Sequence, residues 1–523
     1  METNTQNAEY YSPEDSAPFT SLRDGIWVLV VAIIGTGMPF IDSTGVNTIL
    51  PILQDELGAK ITQAQWVIES YALMVSSLIL FGGALGDKYG RKKIFIIGLI
   101  MFASCSFWCG VAPTTNNLIL ARAFQGVGGA LLIPASLALL TVSFDTRTRA
   151  RAFGIWSAFV AVTTALGPIL GGWLAEAYTW RYVFLINIPV SIILLPVLIT
   201  KVKNDLDLRP IKLDLVGAIL VSLGLGLFVF GLIESPNMGY TDIRVIGSIA
   251  AGLILGVIFI YYEKRLEEPL VPMMLFRSRT FTGANIVSFL FWFSWNAVIF
   301  YVPFGFIQLH GYSALAFAIS FLPGFVALLI LATISGELVS KLGVKNLLMA
   351  GIFMVSIAFY LFSMPGIETE YRSDWLLPIL LMGGGVGLSS SPMVSAVVGS
   401  HDKMYSGLVS GINNAVGRIA GLLGIAILGL IGINLFNFHF DKHLADITLD
   451  PAAMDFLMSE RIKFTAAEIP KWLDSETAGL VDMSIRQSFH TTFSFVMKLC
   501  AGICLIGSVL TYILIDDSKI QLD

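Results

Sequence analysis

The chain has 523 residues, of which 55% are apolar and only 13% charged, about half the charged share of a soluble domain; the mean hydropathy is +0.78. This excludes a soluble globular protein, a secreted disulfide scaffold and a disordered chain, and it disfavours an outer-membrane barrel, whose strands alternate polar and apolar residues. The net charge of −5 is small, and no block of like charges is long enough for nucleic-acid binding.

Residues 1–24 are polar and acidic and lack the basic start of a signal peptide. Apolar runs bounded by charges or turn residues follow near 25–50, 63–85, 94–111, 117–142, 150–174, 180–200, 213–233, 243–262, 281–307, 313–338, 346–364, 374–398, 404–432 and 490–515. They predict an all-α membrane protein of fourteen spans, because only helices satisfy their own backbones in isolated crossings. Lys and Arg set the orientation. With the amino terminus inside, Lys88, Arg91, Lys92, Lys93, Arg147, Arg149, Arg151, Lys201, Lys203, Lys264, Arg265, Arg277 and Arg279 fall on inside segments. The short outside loops hold Lys60, Arg181, Arg244 and Arg372. Both termini are then cytoplasmic, and the long segment 433–489 lies outside, as a variable insertion or a cap over the outer mouth. Its amphipathic stretches fall around Met454–Phe464 and Glu476–Ile485.

The loop after the second run, from Gly83 to Lys92, and the loop after the tenth, from Gly336 to Lys345, share the pattern G-x-L-x-x-K-x-G-x-K. Two related six-helix halves explain this, with two spans left over between them. The expected organisation is a tail (1–24), a first half (25–201), two extra spans with linkers (202–280), a second half (281–515) and a short tail (516–523). Duplicated six-helix halves are a common transporter architecture, with binding near the midplane between the halves.

Other chemistries find no support. Cys105, Cys109, Cys500 and Cys504 sit at i, i+4 in apolar runs and read as packing residues without metal-site spacing. His310 and His490 read as interfacial, and Lys498 as a snorkelling side chain. No G-x-x-x-x-G-K-[ST] motif for ATP and no G-x-S-x-G nucleophile motif occurs. The Gly383–Pro392 run reads as close helix packing rather than a nucleotide loop. No cofactor is expected.

Four segments carry a family resemblance. Gly83-Ala-Leu-Gly-Asp87-Lys-Tyr-Gly90-Arg91-Lys resembles motif A of the major facilitator superfamily, and Ile41-Asp42-Ser-Thr-Gly-Val-Asn-Thr-Ile-Leu-Pro51 resembles the first-span motif of its fourteen-span drug:proton antiporters. Leu118-x-x-x-Arg122-x-x-Gln125-Gly126-x-Gly128 resembles motif B, and Gly167-Pro168-x-x-Gly171-Gly172 resembles motif C, the antiporter signature. The resemblance implies a major facilitator fold and proton-driven export across the cytoplasmic membrane. Asp87 and Arg91 would act as a gating charge relay with Gly83 and Gly90, and Gly167, Pro168, Gly171 and Gly172 as a kinked, tightly packed seal. The second copy of motif A has Ser340 where the first has Asp87, so its gate is expected to be weaker.

Asp42, Glu69 and Arg122 all fall at about 8–14 Å from the outer boundary, at 1.5 Å per residue. A lone charge at such depth costs at least about 2.5–3.5 kcal/mol, so the three invite pairing. We expect Asp42 and Arg122 to interact and Asp42 or Glu69 to take the coupling proton, with Asp42 the stronger candidate; the alternative is a static ion pair. In the ninth run Trp292, Trp295 and Asn296 share a helical face suited to flat, greasy molecules. Asn413, Asn414 and Arg418 add polar groups within the thirteenth, for substrate contact or helix-to-helix hydrogen bonding. Acids with aromatics favour lipophilic cations; Arg122 and Arg418 equally admit anions or zwitterions. The expected partners are a small-molecule substrate, protons and the bilayer, for a monomer; a periplasmic adaptor is left open.

Overall fold

The computed structural model describes residues 19–203, 213–266, 269, 271–401 and 406–520. Residues 1–18 of the amino-terminal tail, 204–212 of the central linker and 521–523 lie outside the described residues, as does the side chain of Ser340.

The described chain is helical throughout, with one isolated bridge between Phe19 and Phe144. The first half comprises α1 (Ile26–Leu57), α2 (Ile61–Tyr89), α3 (Arg91–Gly110), α4 (Thr115–Ser143), α5 (Thr146–Ala177), α6 (Tyr182–Leu185) and α7 (Asn187–Lys201). A central pair follows, α8 (Leu215–Met238) and α9 (Ile243–Glu263). The second half comprises α10 (Arg279–Pro303), α11 (Ala314–Ser320), α12 (Leu322–Leu342), α13 (Val344–Phe362), α14 (Leu376–Val398), α15 (Ser406–Leu444), α16 (Pro451–Glu460) and α17 (Ser475–Leu514). Thirteen segments among the described residues are long and apolar enough to cross a membrane, with α6–α7 and α11–α12 each counted once. The 32-residue α5 stands between the fourth and fifth of them, an arrangement compatible with the fourteen predicted spans. This is a multi-pass membrane protein.

Local chemistry fixes the helix starts. Thr114, Asp145, Ser278 and Asp474 each accept a backbone N–H of the following first turn, the role for which short polar side chains are favoured at an N-cap. Gly90, at φ +99, and Gly343, at φ +80, make the tight turns from α2 into α3 and from α12 into α13. These are the two copies of the repeated motif, and a side chain is strained at that backbone angle.

The last two spans are longer than their apolar runs. α15 continues from the predicted 432 to Leu444, and α17 begins at Ser475 rather than near 490. The extra turns carry Asp441, Lys442, Asp482 and Arg486, which end a hydrophobic run without ending a helix. The segment between these two helices is therefore 445–474, a strap of α16 and a 3-10 turn (Arg461–Ala466). Arg461 pairs with Asp441 at 2.9 Å and Lys463 with Glu460 at 2.8 Å. Phe464 sits at φ +58 with its ring enclosed, 4.9 Å from the ring of Phe436 and 5.9 Å from that of Phe489. The stretch expected around Met454–Phe464 is this strap; that around Glu476–Ile485 is the start of α17.

α8 packs against α2 and α15 together, and α9 against α8. Polar bonds join α8 to α2: Trp66 Nε1 donates to Glu234 at 2.8 Å and Asn237 to Thr62 Oγ1 at 3.0 Å. Within the membrane its contact with α15 is apolar, through Val229, Ile233, Leu422 and Ala426.

Candidate transport site

The first half encloses a network built on Asp42 of α1 and Arg122 of α4, both essentially inaccessible. Arg122 Nη1 donates to Asp42 Oδ2. The other carboxylate oxygen accepts from Gln125 Nε2 at 3.0 Å and from Asn187 Nδ2 at 3.5 Å. Gln125 also donates to Ser106 Oγ at 2.8 Å and accepts from Arg122 at 2.7 Å, and Arg122 Nε donates to the Val67 carbonyl at 3.1 Å. The guanidinium lies 4.2 Å from the centre of the Tyr71 ring. Five helices thus meet at one ion pair, and both oxygens of the Asp42 carboxylate are satisfied. Such a pair offsets its desolvation only when its remaining hydrogen-bonding capacity is filled, which is what Gln125, Asn187 and Ser106 do.

Glu69 does not join this network. It is fully buried on α2, and neither carboxylate oxygen has a hydrogen-bond partner. Its direction follows from Gln65 one turn earlier, which donates to the Ile425 carbonyl of α15 at 3.4 Å and sits against Gly429. Positions three and four apart share a helix face; Gln65 meets α15, and Trp66 and Leu73 meet α8, so Glu69 lies on the α2 face turned to α15 and α8, where the two halves join. Equal depth brought Asp42 and Arg122 together; Glu69 is separated from them by the rotation of α2.

In the second half α10 lies in a glycine groove of α15. A Cβ on Gly417 would stand 2.9 Å from Trp292, and one on Gly421 2.7 Å from Asn296. Asn296 donates to the Trp292 carbonyl at 2.9 Å, and Trp295 stacks on Phe291 at 6.1 Å. Asn413 donates to Asn285 at 3.1 Å and to Ser288 at 2.8 Å, pinning α15 to α10. Trp292, Trp295, Asn296, Asn413 and Arg418 are all partly exposed, and Asn414 is exposed. Gly411, Asn414 and Arg418 share the α15 face that meets α2 near Leu80 and Tyr71. Arg418 makes no hydrogen bond or ion pair among the described residues.

The halves are sealed at the end that carries the strap. There Gln308 donates to Gln54 Oε1 and Asp55 Oδ1, each at 3.3 Å, and Gln54 donates to the Lys463 carbonyl at 3.1 Å. The Leu315 N–H donates to Glu176 at 2.7 Å. Motif C builds the rest: Gly167 and Gly171 hold α5 against Thr44 and Gly45 of α1, and a Cβ on Gly172 would lie 2.7 Å from the Ala314 carbonyl of α11. α5 runs unbroken through Pro168.

The motif A pair is local. Arg91 Nη2 meets Asp87 Oδ1 at 2.8 Å, four residues apart across the α2–α3 turn, so in this conformation it braces that turn. Gly83 lies beside Pro134 of α4, and Gly90 supplies the positive φ. In the second copy Asp517, beyond α17, sits against Gly343 and accepts the Lys345 N–H at 2.9 Å. Residues far along the chain thus place a carboxylate at the loop whose own acid is missing.

Sequence reasoning missed Gln125, Ser106, Asn187 and Tyr71 as members of the ion-pair network. Their signal was a single polar residue inside an apolar run, as in Leu185-Ile186-Asn187-Ile188. Among the secondary expectations, His310 and His490 bond backbone carbonyls of Ile367 and Pro365, and Lys498 is exposed. Gly383, Gly385 and Gly387 make close helix contacts with Gly324, Gly351 and Leu328.

Two helical halves around buried charges, meeting at a seal, define a membrane transporter of small molecules rather than an enzyme. A family model for the Major Facilitator Superfamily matches residues 32–425, and the chain belongs to that superfamily. It is 30% identical to the tetracenomycin C resistance and export protein of Streptomyces glaucescens, over 94% of this chain and 92% of that protein. It is 29% identical to the multidrug resistance protein Stp of Mycobacterium tuberculosis, over 82% of this chain and 80% of that one. Among solved structures, a bacterial homologue of the human lysosomal transporter Spinster, inward-facing and unoccupied, aligns with a TM-score of 0.60 at 17% identity, covering 96% of this chain and 99% of that one.

Proposed function

We propose that the protein exports amphipathic small molecules across the cytoplasmic membrane in exchange for protons, by alternating access. The carrying observation is the division of buried charge: Asp42 and Arg122 neutralise one another inside the first half, whereas Glu69 and Arg418 stand unpaired where the halves meet. Unpaired charge at that depth is costly, and proton or substrate binding relieves it. The names of the relatives, which describe drug resistance and antibiotic export, support the direction and the size of cargo. In this reading the strap side is the outside, the seal is closed, and the cleft by Asn414 opens to the cytoplasm. Both termini are cytoplasmic, the protein works as a monomer, and the proton gradient is the energy source without a cofactor.

Trp292, Trp295 and Asn296 would receive the flat part of the substrate, with Asn413, Asn414 and Arg418 beside it. Lipophilic cations are the first class to try, because a cation and a proton compete for the same acid and competition is what exchange requires. A second reading of substrate charge has its own observation: Arg418 is the unpaired, partly exposed cation of the cleft, and it suits a molecule with an acidic group.

The test is proton release from proteoliposomes under an imposed pH gradient, with a panel of lipophilic cations and acidic antibiotics. Substrate-evoked flux that Asp42→Asn and Glu69→Gln diminish supports the reading. Uptake of every active compound with the proton, instead of exchange, would sink it.

A further inference from the structure

Glu69 lies beside the seal, and its position implies more than a proton site. It sits one turn from Gln65, whose side chain ties α2 to the Ile425 carbonyl of α15, and on the same flank as Trp66 and Leu73, which meet α8, so helical periodicity turns it to the seam that α2 makes with α15 under α8. The seam is closed there: Glu69 has no exposed surface and no partner for either oxygen.

The charged groups of the surrounding elements are accounted for. On α4, Arg122 is committed to Asp42, Gln125 and Val67. On α8, Glu234 accepts from Trp66 and Asn237. In the strap, Lys463 pairs with Glu460. On α1, Asp42 is paired and Asp55 accepts from Gln308. On α3, Arg91 is held by Asp87 at the far end of α2. On α15, Arg418 lies within electrostatic range of Tyr71 and makes no ion pair. Among the described residues no side chain hydrogen-bonds or pairs with the Glu69 carboxylate in the closed seam.

We propose that Glu69 is the proton-operated latch of the outer seal: the α2–α15 seam closes around the protonated carboxyl and opens when the proton leaves. The physical cause is the cost of enclosing an unpaired carboxylate, which water removes once the seam parts. The step is a proton transfer with no other bond changed: outside water gives the proton to the carboxylate while the seam is parted, and the carboxyl gives it up to the cytoplasmic side while the seam is closed. A proton arriving from outside thus returns the empty carrier to the cytoplasm-facing form. This rests on the exporter reading and adds which acid couples to which gate.

The experiment measures the outer gap in the full-length protein in lipid nanodiscs. Spin labels are placed at Lys60→Cys and Arg372→Cys, on outer loops of the two halves; the four native cysteines are buried. In the native background the short-distance population falls by about tenfold or more, relative to the long, as pH rises from about 5 to about 9. Glu69→Gln, which keeps the shape and cannot ionise, holds the short distance at every pH, and His310→Gln, which removes a titratable group at the strap end outside the ion-pair network, keeps the native response. A native seam indifferent to pH overturns the proposal, as does a pH response that survives Glu69→Gln or vanishes in His310→Gln alone. Gradient-driven flux is measured in parallel. Flux through a protein whose seam ignores pH leaves the exporter standing and removes the latch. A responsive seam without flux for any compound keeps the latch and removes the exporter.

Discussion

Asp42 and Arg122, eighty residues apart in sequence, are enclosed together with every carboxylate oxygen engaged. The pair is thus a structural joint of five helices. Asp42→Asn and Arg122→Gln are each expected to lower stability by about 3–5 kcal/mol, because each leaves one buried charge alone. The double variant should lose less than the sum, since it leaves neither. Thermal unfolding of the four proteins in detergent closes this cycle.

Gly172 touches the partner half directly. Gly172→Val would press two methyl groups on the Ala314 backbone, 2.7 Å from where a Cβ begins, so it should hold the seal apart with little effect on folding of either half. Passive proton leak into proteoliposomes should rise several-fold over the native protein. Gly167→Val, which collides with Thr44 and Ile41 inside one half, should instead cost about 1–3 kcal/mol of stability.

Phe464 combines an enclosed ring with a backbone angle that disfavours side chains. Phe464→Ala loses the ring and keeps the strain, for a loss of about 3 kcal/mol. Phe464→Gly loses the ring and relieves the strain. The glycine variant should therefore be at least as stable as the alanine variant, the reverse of the usual order in an ordered segment, by urea unfolding monitored at the strap.

His310 stands at the strap end, 5.3 Å from the Trp375 ring. Burial lowers its proton affinity below the ordinary value of 6.5, with partial compensation from the Ile367 carbonyl. A histidine so depressed binds fewer protons folded than unfolded, so stability is whole above about pH 6.5 and declines as pH falls through the folded value. His310→Gln should flatten that decline between pH 7 and 5 in thermal melts, leaving the neutral-pH melting temperature nearly unchanged.

Arg418→Gln removes the unpaired cation of the cleft. Transport of compounds with an acidic group should fall about tenfold while that of lipophilic cations holds, in competition assays on one preparation. An equal fall for both classes would make Arg418 a packing residue.

Much of this was legible in the chain because membrane crossings are written in long apolar runs, and because charge inside such runs is rare enough to stand out. Asp42 and Arg122 were paired by depth alone, and the glycines of motif C were singled out by resemblance to a family motif. Glu69 was misplaced because depth fixes only one coordinate: the rotation of α2 decides which neighbour it meets, and the sequence carries no mark of that. The same limit hid Asn187 and Ser106, ordinary polar residues until five helices converge on them. The strap was read as a loop because its flanking helices end in charges beyond the hydrocarbon, and hydropathy stops counting there. Asp517 was invisible as the partner of Gly343 because it comes from 174 residues further along the chain.

The central helix α8 covers the line where α2 and α15 meet, bonded by polar groups to α2 and resting on apolar side chains of α15, with Tyr240 just past its end donating to Asn434 of α15 at 2.5 Å. When the halves rock, it should travel with α2 and glide over α15 once the Tyr240 bond is released, like a sliding door with one catch. The opposite line, where α5 meets α11, has no such door among the described residues. The protein thus has one covered and one uncovered flank, and the two additional spans give a nearly twofold arrangement a single sidedness within the plane of the membrane.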